Sequence, residues 1–473
     1  MIFNIQPHER HIFHIIQEAS IKLGFPTYAV GGFVRDRLLG RPSKDIDIVC
    51  VGDGITLAET VAELLKPVPR VTVFRRFGTA MIRYGDIEIE FVGARKESYN
   101  LNSRKPVVQE GSLEDDQNRR DFTINALAVS LNESNFGEII DPFDGLVHLE
   151  QKRILTPLEP GRTFSDDPLR MMRAVRFATQ LNFTVDPETL EAIRVHKERI
   201  HIISKERIAT ELNKILLSPK PSIGFLLLDQ VELLQIILPD LVALKGVEFV
   251  NGIGHKDNFY HTLEVVDNIV PYTSDLWLIW AALLHDIAKP PTKRFDPQFG
   301  WTFHGHETLG AAMAARIFKN LKLPLDHKLK YIQKLIRLHL RPISLTKESI
   351  TDSAVRRLLV DAGEEIDDLM TLCHADVTSK NREKADRYRS NYEVLKQKMS
   401  EIEEKDALRN WQPPITGEDI MSYFDLKPGK IVGDLKNALR EAILEGKVAD
   451  NAESARAYVM EIAQQFGLAT KSN

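Results

Sequence analysis

Two aspartates separated by one residue, Asp45 and Asp47, have the type and spacing to hold a pair of metal ions. Their apolar neighbours predict a β-strand, and side chains at positions i and i+2 of a strand share a face. Two Mg²⁺ ions about 3.5–4 Å apart suit nucleotidyl transfer, because they clamp the attacking and leaving oxygens. Glu90, in another strand-like run, is either a third carboxylate of this site or an exposed strand residue.

A Gly-Gly turn precedes the aspartates and has the form of a phosphate-binding segment. An apolar strand runs into Gly31 and Gly32, and a short helix is predicted to follow. Backbone N–H groups at such a helix start can hold phosphates, and the planar fork of Arg35 can grip phosphate oxygens in pairs. A Gly-Gly pair alone is more often an ordinary tight turn, so this interpretation depends on the aspartates that follow.

The composition indicates a globular protein of about three domains by the usual relation of length to domain count. The chain has 473 residues, of which 43% are hydrophobic and 27% charged. It lacks a signal-peptide pattern and an apolar stretch long enough to span a membrane. The only cysteines, Cys50 and Cys373, show no metal-binding spacing, which predicts a reducing, cytoplasmic compartment. The net charge of −5 confines any RNA-binding surface to a local basic stripe.

The elements that must position these residues change type along the chain. Residues 1–150 mix helical patterns with short strand-like runs, which are Thr27–Val30, Ile46–Val51, Thr79–Arg83 and Ile87–Val92. From about Asp166 onward, apolar residues recur at helical spacing and strand signals almost vanish. An α+β fold is therefore expected, with an α/β head followed by an all-α body. The predicted domains are residues 1–150, 151–240, 241–385 and 386–473.

The order of the motifs resembles a known family. The motifs are Gly31-Gly32-x-x-Arg35-Asp36, Asp45-x-Asp47, Arg119-Arg120-Asp121-Phe122-Thr123-Ile124-Asn125-Ala126, Asp166-Asp167-x-x-Arg170-x-x-Arg173-x-x-Arg176-Phe177 and Ser204-x-Glu206-Arg207-x-x-x-Glu211. Each is modest alone, but five in this order are similar to the class II tRNA nucleotidyltransferases. That family comprises the CCA-adding enzymes and the bacterial poly(A) polymerases. The resemblance covers roughly residues 20–215 and implies a polymerase-beta-like head with a mixed sheet.

The resemblance implies a role for each matching residue. Asp45 and Asp47 would be catalytic and bind Mg²⁺, while Gly31, Gly32 and Arg35 would contact the nucleotide triphosphate. The remaining nucleotide-binding positions would be Arg119, Asp121, Asn125, Asp167, Arg170, Arg173 and Arg176. Asp121 and Asn125 are expected one helical turn apart, where they can face a ribose together. A helix cap at Asp121 is compatible with that role.

Asp167 and Arg170 are the expected base-reading pair. Three residues apart in a helix, they would share a face. A carboxylate accepts from the exocyclic amine of cytosine or adenine, whereas uracil and guanine present a carbonyl there. The alternative is a capping Asp followed by an ordinary ion pair. The family usually has Glu before this Asp, and the shorter side chain of Asp166 is expected to alter the support of the base-reading pair.

A second group of metal-ligand residue types lies in the helical part. His261, His285-Asp286 and Asp376, with His306 and His339, resemble the HD superfamily of metal-dependent phosphohydrolases. Imidazoles with carboxylates suit a transition metal such as Ni²⁺ or Mn²⁺ better than Mg²⁺. His306 and His339 would hold a second metal or bind phosphate. A lone buried histidine is more often structural, but six ligand types in the superfamily's order favour a metal site.

These patterns together predict template-independent addition of CCA to the tRNA 3′ end from CTP and ATP. The head would carry out transfer, the helical neck would read the base, and residues 386–473 would form an RNA-binding tail after the HD domain. Poly(A) polymerase activity, or addition of only A or only CC, is the close alternative. A phosphohydrolase with a nucleotide-binding head and a non-enzymatic RNA-binding protein are the more distant ones.

Overall fold

The computed structural model of the chain describes residues 1–100, 103–345, 351–378, 382–406, 411–466 and 468. They cluster into two units, Met1–Val242 with Asn320–Leu323, and Ala243–Lys319 with Pro324–Asn473. The first unit combines a mixed β-sheet with helices, and the second is almost wholly helical. The predicted α+β class is therefore confirmed. Among the described residues, none of the helices is both long and apolar enough to cross a lipid bilayer.

A mixed sheet forms the centre of the first unit. Its strands and those of two small two-stranded sheets are β1 (Thr27–Val30), β2 (Asp45–Cys50), β3 (Val71–Phe74), β4 (Thr79–Tyr84), β5 (Ile87–Gly93), β6 (Arg95–Asn100), β7 (Ser103–Glu110), β8 (Ala128–Ser130), β9 (Ile139–Ile140), β10 (Arg153–Ile154) and β11 (Thr184–Val185). The seven-stranded sheet has the order β3-β4-β5-β2-β1-β8-β9. Within it, β2 and β5 are parallel and the other neighbouring pairs are antiparallel.

The helices of the first unit pack against this sheet and then continue as a bundle. They are α1 (Pro7–Leu23), α2 (Gly32–Leu38), α3 (Gly54–Leu64), α4 (Leu113–Asn118), α5 (Gly145–Glu150), α6 (Pro160–Asp166), α7 (Leu169–Leu181), α8 (Pro187–His196), α9 (Lys205–Leu216), α10 (Pro221–Gln230), α11 (Leu233–Ile237) and α12 (Pro239–Val242). Helix α3 packs against β4 and β5. Ile46, Ile48 and Phe91 are fully or almost fully buried, so the alternating residues Asp45 and Asp47 lie on the other face.

Helix α7 is the central element of the bundle that follows the sheet. It packs against α9 and α10, while α6 packs against α8. Its Arg176 forms a buried ion pair with Glu211 of α9, with 2.7 Å between Nε and Oε2. This bundle places residues 167–176 next to the part of the first unit that contains the sheet.

The second unit consists of helices with two short hairpins. Its elements are β12 (Phe249–Val250), β13 (Ile253–Gly254), α13 (Asn258–Ile269), α14 (Leu276–Leu284), α15 (Lys289–Thr292), β14 (Arg294–Asp296), β15 (Gly300–Thr302), α16 (His306–Leu321), α17 (His327–Leu338), α18 (Leu340–Leu345), α19 (Asp352–Ala362), α20 (Ile366–Asp376), α21 (Arg382–Asp406), α22 (Gly417–Phe424), α23 (Lys430–Leu444) and α24 (Ala452–Ala463). Helix α14 packs against α13, α17 and α20 around the buried Trp280. Helices α22–α24 surround a separate apolar core that includes Leu435, Leu439 and Val459.

Candidate active site and metal centre

Four carboxylates share one face of the sheet at its parallel strand pair, and one of them, Glu88, is paired with Arg83. Asp47 of β2 lies directly opposite Glu90 of β5, and Asp45 is two residues before Asp47. Burial raises the pKa of Asp47, and Asp45 adds to that rise against the opposing charge of Arg120. Burial and the charge of Asp47 likewise raise the pKa of Glu90. Mutually repelling carboxylates suit a hard, oxygen-binding cation such as Mg²⁺, which would relieve the repulsion.

The turn before α2 approaches these carboxylates closely because it contains glycine. Gly31 has a φ of +74°, and a Cβ there would lie 3.0 Å from Arg120 Nη1 and 3.1 Å from Asp47 Oδ2. A larger residue would meet both a strained backbone conformation and a crowded site. Gly32 follows as the first residue of α2. The structure thus brings the predicted Gly-Gly turn and Asp47 together.

A buried carboxylate holds two consecutive arginines, of which Arg120 lies beside Asp47. Asp116 is fully buried and accepts hydrogen bonds from the guanidinium groups of both Arg119 and Arg120. Its distance to Arg120 Nη2 is 2.8 Å. Burial opposes ionisation, but the two arginines hold the pKa of Asp116 below its ordinary value. The arginines are therefore fixed in place before any nucleotide binds.

Asp121 and Asn125 connect two further arginines. Asn125 donates to Asp121 Oδ1 at 2.9 Å and accepts from Arg35 Nη1 at 2.6 Å. Arg173 donates to Asp121 Oδ2 at 2.7 Å through Nε. Burial would raise the pKa of Asp121, but Arg173 and Asn125 hold that pKa at about 2. In this arrangement the Asp121 carboxylate positions arginines.

The local backbone at Asp121 differs from the prediction. Asp121 precedes a one-turn 3₁₀ helix, Thr123–Asn125, and does not lie in an α-helix with Asn125. Strand β8 follows almost immediately, so the apolar run after Asp121 belongs to the sheet. The side chains of the two residues nevertheless meet, as the spacing suggested.

Phe177 lies among three of the predicted nucleotide-binding arginines. The guanidinium carbons of Arg176, Arg35 and Arg173 are 4.1, 4.8 and 5.3 Å from the centre of its ring. Cation–π contacts of this kind favour cations over a ring face. Phe122 packs edge-on against the same ring. The ring therefore ties Arg35 of α2 to helix α7.

The prediction that Asp167 and Arg170 lie in one helix is wrong. Asp167 is extended, with φ −134° and ψ 99°, and α7 begins at Leu169. Pro168 explains the difference, because the residue before a proline is disfavoured in the α region. Asp167 Oδ1 accepts the Leu169 N–H at 3.2 Å, as a capping residue would. Arg170 is mostly buried and donates to the main-chain oxygen of Arg119.

A polar cavity of about 280 Å³ adjoins Arg170. Arg119, Arg162 and Asp166 are among the residues that line it. Burial raises the pKa of Asp166 against the lowering effect of Arg170. Asp166, which stands where the family usually has Glu, therefore lies beside Arg170 of the expected base-reading pair.

The second unit brings together all six residues of the predicted HD site. Three of its histidines, His285, His306 and His339, each donate Nδ1–H to a main-chain oxygen three residues earlier, at 2.6–2.7 Å. This bond fixes the tautomer and turns each Nε2 inward, which is how metal-binding histidines are usually held.

Asp286 joins two groups of ligand atoms. One consists of His261, His285 and Asp286, and the other of Asp286, His306 and His339, with all ligand atoms in each group within 4.8 Å of one another. His306 Nε2 is 3.3 Å from Asp286 Oδ1, and His285 Nε2 is 3.2 Å from Asp286 Oδ2. Because Asp286 belongs to both groups, the donor set fits two neighbouring transition-metal ions with a shared carboxylate.

Asp376 adds a second carboxylate to the first group of ligand atoms. Its Oδ1 lies 2.9 Å from His261 Nε2 and 3.5 Å from His285 Nε2. Burial would lower the pKa of His285, but Asp286 and Asp376 raise that pKa to about 10. The fully buried Nε2 of His285 has no well-aligned hydrogen-bond partner among the described residues. A ring nitrogen that lies between two carboxylates without such a partner suits the binding of a cation.

Comparison with known proteins identifies the family. The family described as "Poly A polymerase head domain" matches residues 27–155, "Probable RNA and SrmB- binding site of polymerase A" matches residues 182–244, and "HD domain" matches residues 258–381. An A-adding tRNA nucleotidyltransferase of Deinococcus radiodurans is 32% identical over 449 residues, 92% of this chain and 95% of that protein. The chain belongs to the tRNA nucleotidyltransferase family.

The relatives in this family differ in their named products. A CC-adding tRNA nucleotidyltransferase of Thermus thermophilus is 31% identical over 464 residues, 93% of this chain and 95% of the relative. The solved Bacillus stearothermophilus CCA-adding enzyme in complex with CTP shares the fold, with a TM-score of 0.64 at 24% identity, covering 98% of this chain and 99% of that one. Overall similarity to tRNA nucleotidyltransferases therefore does not distinguish among A, CC and CCA addition.

Two residues near the head site were not predicted as functional. Asp116 precedes Arg119 and Arg120 by three and four residues, which on a helix is the spacing of an ion pair. That spacing was visible in the sequence. Phe177 fits an apolar helical pattern, and its contact with Arg35 joins segments distant in sequence. No local signal distinguishes it from a core residue.

Proposed function

We propose that this protein adds the terminal CCA to the 3′ end of tRNA, using CTP and ATP and no nucleic-acid template. The observation that carries the proposal is the cluster of Asp45, Asp47 and Glu90 beside Gly31 and Arg120. In a tRNA nucleotidyltransferase, this cluster supplies carboxylate ligands for the metal ions that nucleotidyl transfer requires. Relatives named for CC, A and CCA addition support tRNA as the acceptor.

Asp45 and Asp47 would hold Mg²⁺ at this site. Bound Mg²⁺ supplies charge neutralisation for the attacking 3′-oxygen and the leaving pyrophosphate. The protein's own groups supply position: Gly31 keeps the turn against Asp47, and Asp116 holds Arg119 and Arg120. The guanidinium of Arg35 has five N–H donors, and three of them bind Asp36 and Asn125. The others would bind the triphosphate.

The choice of CTP and ATP would rest on Asp167 and Arg170. Asp167 accepts the Leu169 N–H through Oδ1, which leaves Oδ2 for the exocyclic amine of cytosine or adenine. Arg170 is held by the Arg119 carbonyl and would donate to the neighbouring ring acceptor. Uracil and guanine would place a carbonyl against the carboxylate and be rejected. Arg173 and Arg176 would support this pair from the same helix.

We propose residues 1–150 as the transfer head, 151–240 as the base- and RNA-binding neck, 241–385 as the HD domain and 386–473 as an RNA-binding tail. The three family matches, at residues 27–155, 182–244 and 258–381, support the order of the first three ranges, and the tail rests on the sequence motifs alone. Cys50 and Cys373 are both free and buried. Unpaired thiols support the proposed cytoplasmic location.

Nucleotide incorporation tests the proposal. Each labelled nucleotide is offered with tRNA ending at the discriminator base and with tRNA ending in CC, using the wild type and an Asp45→Ala/Asp47→Ala variant. Two C and one A added by the wild type alone is the expected result. A added only to tRNA ending in CC, or CC without A, would assign a partial activity. Unlimited A would assign a poly(A) polymerase, and no incorporation would contradict transfer.

A second function, hydrolysis of phosphate esters, is favoured by the histidines around Asp286. Their inward Nε2 atoms and the shared carboxylate suit Ni²⁺ or Mn²⁺, which would supply Lewis-acid activation to the reaction. Release of phosphate from 3′-phosphorylated RNA, assayed with each metal, tests this activity. Asp286→Asn should abolish release and Asp45→Ala/Asp47→Ala should leave it unchanged. Release that survives Asp286→Asn would contradict the assignment.

A further inference from the structure

The two short hairpins of the second unit lie directly before helices that carry HD-site residues. Hairpin β12–β13 leads into α13, which contains His261, and hairpin β14–β15 leads into α16, which begins at His306. The hairpins also contact one another, since Trp301 Nε1 donates to the Ile253 main-chain oxygen at 3.0 Å. We call the face formed by residues 249–255 and 293–303 the hairpin surface.

Aromatic rings dominate the hairpin surface and several are held rigidly. The His255 ring packs edge-on against Trp301 at 5.2 Å, and Phe295 packs against the same Trp301 at 5.3 Å. His255 is fixed at both nitrogens, because Nδ1 donates to the Lys256 oxygen at 2.8 Å and Nε2 accepts from the Glu248 N–H at 3.2 Å. The rings are therefore ordered before any ligand binds.

Two further rings project into solvent at the edges of this surface. Phe249 is 71% exposed and Phe299 is 74% exposed. Phe249 lies across the strand pair from Gly254, where any added Cβ would collide with its ring. Exposed rings beside an ordered aromatic cluster indicate a binding surface.

Cations accompany the rings and continue to the HD site. Lys293 Nζ lies 5.5 Å from the Trp301 ring centre, and Lys289 Nζ lies 5.5 Å from that of Phe303. Lys289 also contacts Asp286 at 2.6 Å, and Lys256 Nζ is 2.9 Å from His261 Nδ1. Lys293 is paired with the exposed Glu248 and can exchange it for a phosphate. Lysine side chains thus extend from the rings to the metal-ligand residues.

We propose that the hairpin surface binds unpaired nucleotides of RNA and directs a terminal phosphate toward the HD site. Aromatic rings combined with lysines and arginines match the requirements of single-stranded nucleic acid, whose bases stack and whose phosphates attract cations. A protein partner would not require cations that lead to a phosphate-ester site. This inference rests on the proposed phosphohydrolase function for its catalytic meaning, but the binding itself does not require activity.

Binding is tested on the full chain in EDTA, with an unstructured RNA heptamer carrying a 3′-phosphate. RNA should quench tryptophan fluorescence in the wild type, and Trp301→Phe should remove that quench. Phe249→Ser/Phe299→Ser changes only exposed rings and should weaken the titrated affinity about ten-fold. Tyr272→Ser is the matched control, since Tyr272 is 64% exposed and follows the far end of α13. Its affinity should match the wild type.

Salt dependence and hydrolysis supply independent readouts. Lys293→Ala/Arg294→Ala should reduce the slope of log affinity against log salt, by roughly 0.7 for each lost phosphate contact. Phe249→Ser/Phe299→Ser should raise KM for the 3′-phosphorylated heptamer about ten-fold and leave hydrolysis of the small monoester p-nitrophenyl phosphate unchanged. Absence of hydrolysis in the wild type would remove the phosphohydrolase proposal alone.

An RNA affinity and a quench unaffected by all three variants would overturn the proposal. If the Phe249→Ser/Phe299→Ser variant instead changes the oligomeric state while its RNA affinity stays the same, the surface is a protein contact and RNA binding is excluded.

Discussion

At the scale of single residues, the head site is a set of buried charges that hold one another in place. Asp116 holds Arg119 and Arg120, and Asp121 holds Arg173. Removing one member of such a pair destabilises the fold, because its partner is left uncompensated. Asp45, Asp47 and Glu90 are the exception, since these carboxylates face each other. Negative charge is therefore left uncompensated at these three carboxylates, where the head site would bind cations.

Glu90 should contribute to transfer although its neighbour Glu88 should not. Glu88 lies on the same face of β5 but is paired with Arg83 at 3.1 Å. We expect Glu90→Gln to lower incorporation by about ten-fold or more at limiting Mg²⁺, with partial recovery at high Mg²⁺. Glu88→Gln is the matched control and should stay near the wild-type rate. Equal Mg²⁺ dependence in both variants would exclude a role for Glu90.

The ion pair of Asp121 should appear in the pH dependence of stability. Its pKa of about 2 in the folded chain lies below the ordinary 3.8, so the carboxylate stabilises the fold above pH 3.8. That stabilisation, about 2 kcal/mol, should disappear as the pH falls from 3.8 toward 2. Urea unfolding of Asp121→Asn and wild type should differ by this amount at neutral pH and converge in acid. The exposed Asp86→Asn should match the wild type, and a pH-independent difference would contradict the argument.

At the scale of elements, the turn at Gly31 links the head of α2 to the carboxylate face of β2. Gly40, just after α2, has a similar φ of +68° but nothing within 4 Å of an added Cβ. Gly40→Ala should lose about 1 kcal/mol of stability from backbone strain, and Gly31→Ala should lose more, because Gly31 combines a φ of +74° with a ψ of −139°. Only Gly31→Ala should also lose incorporation, because its Cβ would crowd Asp47 and Arg120. Thermal unfolding and incorporation, measured on both variants, separate strain from crowding.

Elements were predictable from the sequence where a local pattern specifies them. Strand β2 begins one residue earlier than expected, and the strands at Thr79 and Ile87 each extend one residue further. The extended conformation of Asp167 was also encoded locally, in Pro168, but the helical spacing outweighed it in the prediction. Hairpins β12–β13 and β14–β15 have strands of two or three residues, which are too short to show alternation.

Functional residues were predictable where several ligand types follow a fixed order. The six HD-site residues come together in the structure, as predicted. The prediction was possible because the order of the motifs carries information that a single histidine does not. The approach of Arg120 to Gly31 and the contact of Arg35 with Phe177 join segments far apart in the chain. Such contacts are a product of the tertiary fold, so Phe177 could not be recognised beforehand.

At the scale of the whole molecule, the two cation sites lie in different units of the chain. Asp45 and Asp47 belong to the first unit and Asp286 to the second. The ligand chemistry also differs, with carboxylates alone at one site and histidines with carboxylates at the other. This difference supports the proposal that the first site takes Mg²⁺ and the second a transition metal.

Metal content should distinguish the sites and show that Asp286 is shared. We expect the wild type to bind two Ni²⁺ or Mn²⁺ ions at the HD site in equilibrium dialysis with Mg²⁺ in excess. Asp286→Asn should lose both ions, because Asp286 belongs to both ligand groups, whereas His339→Ala should lose one. Asp47→Asn should retain both ions and lose incorporation, and Asp286→Asn should keep incorporation at the wild-type rate. Loss of a single ion in Asp286→Asn would mean that the carboxylate serves one metal, and the histidines at 306 and 339 would then be left to bind phosphate.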